Sequence, residues 1–423
     1  MRILFITKYA WDDKLAGGNT LSNLFSSWPN TEYFTIYCRE ALPNNKCCSE
    51  YYSISPINIL KNIFTPQKIG KRFTLSGNEV NNVMAKTEDA LKSASKKHKF
   101  AFELIHDLMY ASKIWLNKKL KRFIAESNPD IVFCFGVPDA FTYQMVKYVK
   151  KHLTSPIVAY YVDDHYNNNA FNWNVLHRIG RKRLKGIALM ADKRYAISQM
   201  MCDEYAKEMN HEFSLLVKGC VTREVRTHVN STLRFVYAGN LLYRRDHILA
   251  DIVSTLKEIN AEESNRTRLD IYTSSSVNEG MYQRLCVAGV SEIHSAKPYE
   301  VVMEIMHNSD VVLFVESFDQ EQMNTVRLSF STKITDCLQS GAKVLAVGPS
   351  EIASIDYLKC VPGVSVVPCL DKLSATILSI INNPSNIIND AKDTNIYSRK
   401  NLTIKAVRDK LQNDLMRLVS KGN

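Results

Sequence analysis

One stretch near the end of the chain carries most of the architectural information: Leu328-Ser329-Phe330-Ser331-Thr332-Lys333-Ile334-Thr335-Asp336-Cys337-Leu338-Gln339-Ser340-Gly341-Ala342-Lys343-Val344-Leu345-Ala346. Ser331 and Thr332 precede a helical pattern that begins near Lys333 and ends at Gly341, where a buried strand follows. The free amides of the first helical turn and the lysine charge predict an anion site. Asp336 lies one turn further on the same side, where it can accept a hydrogen bond from a ribose hydroxyl.

The same alternation of apolar strands and helices runs through most of the chain and predicts a mainly parallel α/β sheet in each half. The strands predicted in the first half are Ile3–Ile6, Tyr33–Tyr37, Ile131–Phe135, Ile157–Val162 and Arg194–Ile197. Those predicted in the second half are Leu233–Tyr237, Leu269–Tyr272, Val311–Val315, Lys343–Val347 and Val364–Val367. We therefore predict a first domain over residues 1–221, a polar linker over Thr222–Thr232, a second domain over 233–396 and a C-terminal helix over 397–423.

Composition excludes several classes of protein. The 423 residues are 45% hydrophobic and 23% charged, as in soluble globular proteins. The sequence has no apolar run of the 18 residues that predict a membrane-spanning helix, and Met1–Thr7 resembles a buried first strand rather than a signal peptide. Ten scattered cysteines without a C-x-x-C pair predict reduced thiols in a cytoplasmic protein.

Positive charge is concentrated in one region of the chain. The net charge is +11, and Lys61–Arg122 holds 14 Lys and Arg against 5 Asp and Glu, a surplus of 9. A second basic cluster runs from Arg178 to Lys185. Both suit an anionic partner such as a membrane surface, and a solvated helix face explains them equally well. The stretch from about 57 to 125 is predicted to be helical and inserted into the first domain.

Two loops that follow strands of the first half hold candidate functional residues. Gly17 and Gly18 precede a helix that we expect to begin near Asn19, and their backbone can approach a ligand closely. A plain turn is the more frequent explanation of a lone Gly-Gly pair, and the dinucleotide fingerprint is absent.

The second of these loops is Asp163-Asp164-His165, directly after Ile157–Val162. Adjacent carboxylates raise each other's pKa, which suits a proton acceptor. A helix N-cap explains one of the two aspartates at least as well. A metal site ranks last, because no further ligands stand at a recognisable spacing.

In the second half, the first strand ends at Gly239-Asn240, and Arg244 and Arg245 follow before the next helix. Arginine binds phosphate oxygens in a bidentate manner, so this loop predicts a phosphate contact, although two surface arginines would show the same pattern. Glu316 directly follows the strand Val311–Val315 and adds a carboxylate to the same sheet edge.

The stretch from 328 to 346 resembles the nucleotide-binding segment of GT-B glycosyltransferases, in particular the family-4-like retaining enzymes of bacterial polysaccharide synthesis. Their helix has a small residue, a lysine, an acidic residue three positions later, and a glycine before the strand. The matching residues here are Ser331, Thr332, Lys333, Asp336 and Gly341. Many relatives carry a glutamate eight residues before the acidic residue; here that position is Leu328, and Glu316 is the alternative carboxylate.

The resemblance implies two Rossmann-like domains that face each other across a cleft. The first would bind a glycan or lipid-linked acceptor, with Asp163, Asp164, His165 and Glu316 as catalytic candidates. The second would bind a nucleotide-diphosphate sugar. The donor-binding candidates are Gly17, Gly18, Gly239, Asn240, Arg244, Arg245, Ser331, Thr332, Lys333 and Asp336.

The activity so implied is sugar transfer in cell-surface polysaccharide synthesis, with retention at the anomeric carbon. It needs no metal and no cofactor beyond the co-substrate. The location would be cytoplasmic, with peripheral attachment to the inner face of the membrane. A nucleotide-sugar epimerase of the same architecture is the main alternative. A basic nucleic-acid-binding protein is a weaker one, because it leaves the α/β alternation unexplained.

Overall fold

The computed structural model describes residues 1–75, 99–167, 175–262 and 266–422. The chain divides into two compact units. The first consists of Met1–Ile197, Cys202–Leu216 and Arg408–Asn423, and the second of Ser198–Met201 and Val217–Val407. Each unit is built around one sheet.

The sheet of the first unit has eight strands in the order β4-β3-β2-β1-β5-β6-β7-β8. The strands are β1 (Arg2–Thr7), β2 (Glu32–Tyr37), β3 (Glu50–Ser53), β4 (Lys71–Phe73), β5 (Ile131–Phe135), β6 (Ile157–Tyr161), β7 (Lys193–Ala196) and β8 (Ser214–Leu215). All neighbouring pairs are parallel except β3 and β4. The central strands are almost wholly apolar, as a parallel sheet covered on both faces requires.

Helices of the first unit connect these strands. They are α1 (Ala16–Phe25), α2 (Pro56–Lys61), α3 (Lys99–Ala111), α4 (Lys118–Ser127), α5 (Ala140–His152), α6 (Val175–Met190) and α7 (Gln199–Met209). The core under α1 is aromatic: Phe5 of β1 contacts Trp11, Phe25 and Phe133 edge to face, at centroid distances of 4.9 to 5.7 Å. These aromatic contacts fix α1 on the sheet.

The sheet of the second unit has six parallel strands in the order β11-β10-β9-β12-β13-β14. They are β9 (Leu233–Ala238), β10 (Thr267–Thr273), β11 (Ser291–Ser295), β12 (Val311–Val315), β13 (Lys343–Val347) and β14 (Ser365–Val367). The helices are α8 (Arg245–Glu262), α9 (Glu279–Leu285), α10 (Tyr299–His307), α11 (Gln320–Val326), α12 (Lys333–Gln339), α13 (Ala353–Lys359), α14 (Leu373–Asn382) and α15 (Pro384–Asn401). The prediction of two Rossmann-like sheets is confirmed.

The strand order reverses once in each sheet. In the first sheet the chain leaves β1 toward β2 and β3 and later returns to the other side of β1 with β5. In the second, it leaves β9 toward β10 and β11 and returns with β12. Ligands of open α/β sheets bind outside the carboxyl ends of the strands at such reversals. The loops after β1, β5, β9 and β12 are therefore the places to search for a site.

The segment predicted as a linker, Thr222–Thr232, is not a free connector, because it packs within the second unit. The Arg223 amide donates to Gln339 O, and Asn230 and Arg226 both donate to the buried carboxylate of Asp310. The polar composition of this segment suggested that it is exposed, but Arg226 and Asn230 donate hydrogen bonds to the buried Asp310 carboxylate.

The basic stretch from 57 to 125 is not helical throughout. It contains β4, an edge strand held by Phe73, which stacks on Tyr51, and by Arg72, which pairs with Glu50 and Glu126. Part of the predicted insertion and of the basic region Lys61–Arg122 lies outside the described residues.

The C-terminal helix α16 (Ile404–Gly422) joins the first unit from Arg408 onward. Arg408 donates to the carbonyls of Ser22 and Asn23 at the end of α1, and the Tyr195 hydroxyl donates to Asp414. None of the helices in the described ranges is long and apolar enough to span a membrane.

Candidate functional site

A small pocket lies at the strand-order reversal of the second sheet. It is lined by Tyr237, Ala238, Arg245, Met306, Leu313, Phe314, Val315, Glu316, Lys333, Asp336 and Cys337. Four of the residues singled out from the sequence therefore surround one cavity: Arg245, Glu316, Lys333 and Asp336. The sheet brings together loops that are about 90 residues apart in the chain.

Arg245 and Glu316 form a buried ion pair inside this site. Nη2 of Arg245 donates to both Glu316 carboxylate oxygens, at 2.9 and 2.8 Å, and Nε donates to one of them at 3.1 Å. Nη1 donates to Asn240 Oδ1 at 2.7 Å, and Nε also reaches Val315 O. Both side chains are less than a tenth exposed. Burial raises the pKa of Glu316, and the Arg245 charge opposes that shift.

Lys333 is the cation of the site that is not bound to a carboxylate. Its Nζ lies 3.5 Å from the Tyr237 hydroxyl, and within the described ranges it forms no ion pair. A Cβ placed on Gly239 would overlap this ammonium, so only glycine lets the lysine lie against the loop after β9. Burial and the nearby Arg245 charge lower the pKa of Lys333 to about 8.

Asp336 follows Lys333 by one helical turn and is half-buried. The Tyr299 hydroxyl donates to its Oδ1 at 3.0 Å, and the Gln339 side-chain amide donates to the same oxygen at 3.3 Å. Burial raises the pKa of Asp336, whereas the Tyr299 hydrogen bond and the Lys218 and Lys333 charges oppose the rise. The second carboxylate oxygen remains available to a ligand hydroxyl.

Helix α12 begins at Lys333 without the side-chain cap predicted for Thr332, which is itself helical and caps nothing. The Lys333 amide makes only a long 3.4 Å contact with Ser331 Oγ. Ser331 is instead held by its own amide, which donates to Ser354 Oγ. The helix ends where Gly341 takes a positive φ of 78°.

The two consecutive arginines after β9 have different surroundings. Arg245 is buried as described above, whereas Arg244 is exposed and pairs with Asp319 at 2.8 Å. Tyr243 and Arg244 both have positive φ, 61° and 56°, so the tight turn sends their side chains in different directions from that of Arg245. Arg244 does not line the pocket with Arg245.

The first unit holds the other candidates. Gly17 and Gly18 lie inside the first turn of α1, which begins at Ala16 and not near Asn19. A Cβ on Gly18 would overlap the backbone of Asp12, so packing requires this glycine. Gly17 has no atom within 4 Å of such a Cβ and faces open space.

The three residues after β6 differ in their exposure. Asp164 is buried and accepts hydrogen bonds from the amides of Tyr166 and Asn167 and from the Tyr205 hydroxyl. Asp163 is exposed, and His165 is half-buried. Burial lowers the pKa of His165, with Lys8 adding to that effect and Asp163 opposing it. Asp164 therefore binds two amides of its own loop and a tyrosine hydroxyl, whereas Asp163 does not share these contacts.

Sequence reasoning missed the tyrosines that complete the second-unit site. Tyr237 is an apolar-strand residue in the sequence, yet its hydroxyl donates to Asn240 O and lies beside Lys333. Tyr299 begins α10 and reaches Asp336 from 37 residues away. Neither belongs to a local motif, so only the packing of the sheet could identify them.

A separate group with metal-ligand chemistry lies at the edge of the second sheet. Ligand atoms of Asp270, Glu292 and His294 are within 4.8 Å of one another. Arg268 pairs with both carboxylates, and Arg234 pairs with Asp270. Their negative charge is thus already balanced by arginines, which favours a structural ion-pair network over a cation site.

Several solved structures have a similar fold over nearly the whole chain. Sucrose-phosphate synthase from Thermosynechococcus elongatus has 9% identity and a TM-score of 0.62, with all of both chains covered. The Anabaena protein HepE in complex with UDP has 8% identity and a TM-score of 0.61, covering 99% of this chain and 100% of its own. An α,α-trehalose-phosphate synthase from Burkholderia xenovorans has 9% identity and a TM-score of 0.58, covering 98% and 100%.

The sequence itself matches no protein-family model and no curated protein. At identities this low, the structural matches define an architecture and not an activity. Their coverage nevertheless extends over nearly the whole chain, and both sheets take part. The chain has the GT-B glycosyltransferase fold.

Proposed function

We propose that the protein is a glycosyltransferase that takes a sugar from a nucleotide-diphosphate donor bound at the strand-order reversal of the second unit. The observation that carries the proposal is Lys333, an ammonium without a carboxylate partner in the described ranges, held over the Gly239 backbone. A half-buried cation without a carboxylate partner is suited to an anion such as a diphosphate. HepE, which shares the architecture, was solved in complex with UDP.

In this proposal Lys333 stabilises the departing diphosphate. Negative charge grows on the leaving phosphate in the transition state, and a preorganised ammonium in a water-poor pocket stabilises it more strongly than an exposed one. Asp336 accepts a hydrogen bond from a ribose hydroxyl through the carboxylate oxygen that Tyr299 and Gln339 leave available. In this proposal Lys333 contacts the diphosphate and Asp336 contacts the ribose of the same nucleotide.

Arg245 and Glu316 take a different role from the one that the sequence suggested. The Arg245 guanidinium is committed to Glu316 and Asn240, so we assign it to positioning the loop after β9 rather than to direct phosphate binding. Glu316 has both oxygens bound by Arg245, which argues against its use as a catalytic carboxylate. The side chain of Leu328 is fully buried and offers no acidic group.

In the first unit, Gly17 and the residues Asp163 and His165 are the ones free to meet an acceptor. Asp164 already accepts three hydrogen bonds and thereby fixes the loop that contains Asp163 and His165. We propose that Asp163 and His165 lie on the acceptor side and that the acceptor is a glycan or lipid-linked sugar of a cell-surface polysaccharide. The expected reaction is metal-independent and retains the anomeric configuration.

We further propose peripheral attachment to an anionic membrane through the basic region Lys61–Arg122. Three apolar side chains support it: Leu60, Ile63 and Phe64 are 57%, 48% and 97% exposed. Their loop is closed at its base, because Gly70 N donates to Asn58 Oδ1 at 2.6 Å. Lys61 and Lys68 are exposed on the same loop. Apolar tips with adjacent lysines suit an interfacial anchor, each basic residue contributing about 1 kcal/mol.

The first experiment is a thermal-shift screen of the full chain against UDP, GDP, ADP, CMP and dTDP. A ligand at about 100 times its Kd adds roughly 2.7 kcal/mol of stability, enough for a clear rise in Tm. The proposal predicts that one nucleoside diphosphate stabilises the wild type and that Lys333→Ala removes the shift. No shift with any nucleotide would contradict the donor assignment.

The second experiment separates transfer from the epimerase alternative. The protein is incubated with the nucleotide sugar whose nucleotide gave the shift, with and without a glycan acceptor. A glycosyltransferase releases nucleotide rapidly only when an acceptor is present, whereas an epimerase releases or isomerises the sugar alone. Equal turnover in both samples would favour the epimerase. A salt-dependent gel shift with random oligonucleotides tests the nucleic-acid alternative.

A further inference from the structure

A second group of basic side chains lies at the carboxyl edge of the first sheet. Lys8 follows β1 and Arg39 follows β2, and the two ends are joined by the hydrogen bond from Cys38 N to Lys8 O. Lys8 Nζ and the Arg39 guanidinium carbon lie 6.0 and 5.9 Å from the centroid of the half-exposed Tyr9 ring. Lys8 lies in the loop after β1, at the strand-order reversal where a ligand is expected, and Arg39 lies beside it in the loop after β2.

His106 of α3 joins this group. The Tyr110 hydroxyl, one turn further along α3, donates to the carbonyls of Cys38 and Ile54, which fixes the helix against the end of β2. The His106 ring packs on Tyr110 at a centroid distance of 4.7 Å. Burial and the charges of Arg39 and Lys8 lower the pKa of His106 to about 3, so its imidazole is neutral when no anion is bound.

Two polar atoms of this group are buried without a hydrogen-bond partner in the described part of the chain: Arg39 Nε and His106 Nε2. His106 is only 8% exposed. Buried polar atoms in native proteins are nearly always hydrogen-bonded, so these two unpaired atoms indicate a position where a ligand can bind. The unpaired atoms belong to one cation and one imidazole, and both can donate a hydrogen bond.

The carboxylates near this group already have backbone partners. Asp139 accepts from the Thr142 amide and hydroxyl at the start of α5, and Glu40 accepts from the Ile57 amide. Neither Lys8 nor Arg39 forms an ion pair among the residues that the structure describes. The positive charge of the group therefore remains available to a ligand.

We propose that Lys8, Arg39 and His106 bind an anionic group, a phosphate or a carboxylate, carried by the acceptor. This inference rests on the proposed function, because it assigns the acceptor side to the first unit and adds the chemical class of the acceptor. Arg39 and His106 donate from their buried nitrogens, and Lys8 supplies the second positive charge. The half-exposed Tyr9 ring lies about 6 Å from each of the two cations, where a sugar ring attached to the anion can contact it.

The test is titration of the full chain with inorganic phosphate by calorimetry, with and without a saturating amount of the nucleotide found in the thermal screen. We expect phosphate to bind in both conditions, since the nucleotide occupies the other unit. Arg39→Gln and Lys8→Gln should each weaken binding at least tenfold. Lys147→Gln, which alters an exposed basic residue of the same unit outside both basic clusters, should leave it unchanged.

A second readout follows the imidazole itself. In NMR titrations the pKa of His106 should rise when phosphate binds, because an anion replaces uncompensated positive charge. The ring resonances of His152, an exposed residue of the same unit, should not move when phosphate is added. If Arg39→Gln does not fold, Lys8→Gln and this NMR shift still decide the matter.

The source of the anion is distinguished by comparing a hexose 6-phosphate with glucuronate as ligands. Tighter binding of the first identifies a phosphorylated acceptor, and tighter binding of the second an acidic sugar. Phosphate binding that survives both Arg39→Gln and Lys8→Gln would overturn the inference, as would its absence from a wild type that binds nucleotide. Failure to bind any nucleotide would instead contradict the proposed function while leaving this site to be judged by phosphate alone.

Discussion

At the strand-order reversal of the second sheet, the Arg245 guanidinium donates to Glu316, Asn240 and Val315 O, and Lys333 is left as the available charge. At the carboxyl edge of the first sheet, beside its strand-order reversal, Arg39 Nε and His106 Nε2 have no hydrogen-bond partner in the described ranges. In the second unit, Arg245 is therefore bound within the protein, and Lys333 is available to a ligand. The first unit leaves these two buried nitrogens unpaired among the residues that the structure describes.

Under the proposed function, this difference corresponds to two roles, binding of the donor and binding of the acceptor. A nucleotide-diphosphate is the common part of every donor, and a rigid site built on a buried ion pair suits it. Acceptors vary between pathways, and basic groups without a fixed internal partner can be adapted to them with little effect on the rest of the fold. The predictions below test the comparison in order of decreasing expected effect.

The largest effect should come from breaking the buried pair. Glu316→Ala leaves the Arg245 charge buried without its carboxylate, which should cost about 3–5 kcal/mol. The matched control is Arg244→Ala, which breaks the exposed pair of the neighbouring arginine with Asp319 and should cost about 0–1 kcal/mol. Urea unfolding of both variants measures the difference. Equal losses would show that Arg245 and Arg244 are not distinguished by burial.

The next effect concerns turnover. Lys333→Ala should lower kcat on the order of 100-fold, because it removes a preorganised donor beside the leaving diphosphate. Its stability should not fall, since burial already disfavours the charged lysine. The control is Lys257→Ala, an exposed lysine of α8, which should keep full activity. Normal turnover of Lys333→Ala with the identified donor would remove the main support for the donor site.

The first unit offers a comparison between adjacent residues. Asp164→Ala should cost about 1–3 kcal/mol, because it leaves the Tyr205 hydroxyl and two loop amides without an acceptor. Asp163→Ala should change stability by less than about 0.5 kcal/mol, as its side chain is exposed. Thermal unfolding measures both. Measuring turnover of the same samples shows whether Asp163 also takes part in transfer. A loss of stability in Asp163→Ala would contradict the assignment of Asp164, and not Asp163, as the structural residue of the pair.

The second site was largely predictable because its residues stand in short motifs. Ser331 to Gly341 forms a helix-and-strand unit with a distinctive spacing, and Gly239 and Arg245 belong to one loop. The pairing of Arg245 with Glu316 was not predictable, since 71 positions separate them and only the adjacency of β9 and β12 brings them together. The contact between Tyr299 and Asp336 was not predictable either, because 37 positions separate these two residues.

The first-sheet group could not be found in the sequence at all. Lys8, Arg39 and His106 stand alone, each in a different loop or helix, and a single lysine or histidine has no distinguishing pattern. What unites them is the parallel pairing of β1 and β2 and the docking of α3 through Tyr110. The strands themselves were predictable from their apolar runs, whereas the register that brings these three side chains together depends on tertiary packing.

The smallest effect is a pH dependence of nucleotide binding. Burial and Arg245 place the pKa of Lys333 at about 8 in the free protein, and a bound diphosphate raises it by favouring the charged form. The lysine is therefore protonated well below pH 8, and affinity should be constant there. As the pH rises from 7 to 9 the free lysine loses its proton, and affinity should fall on the order of tenfold.

Lys333→Arg provides the control, since arginine stays charged and any titration of the nucleotide itself affects both proteins alike. Calorimetry at pH 7, 8 and 9 should give a falling affinity for the wild type and a flatter profile for Lys333→Arg. If the affinity of the wild type and of Lys333→Arg changed in the same way with pH, Lys333 would not contact the diphosphate. The comparison between the two sheets would then have no ligand-binding cation in the second unit.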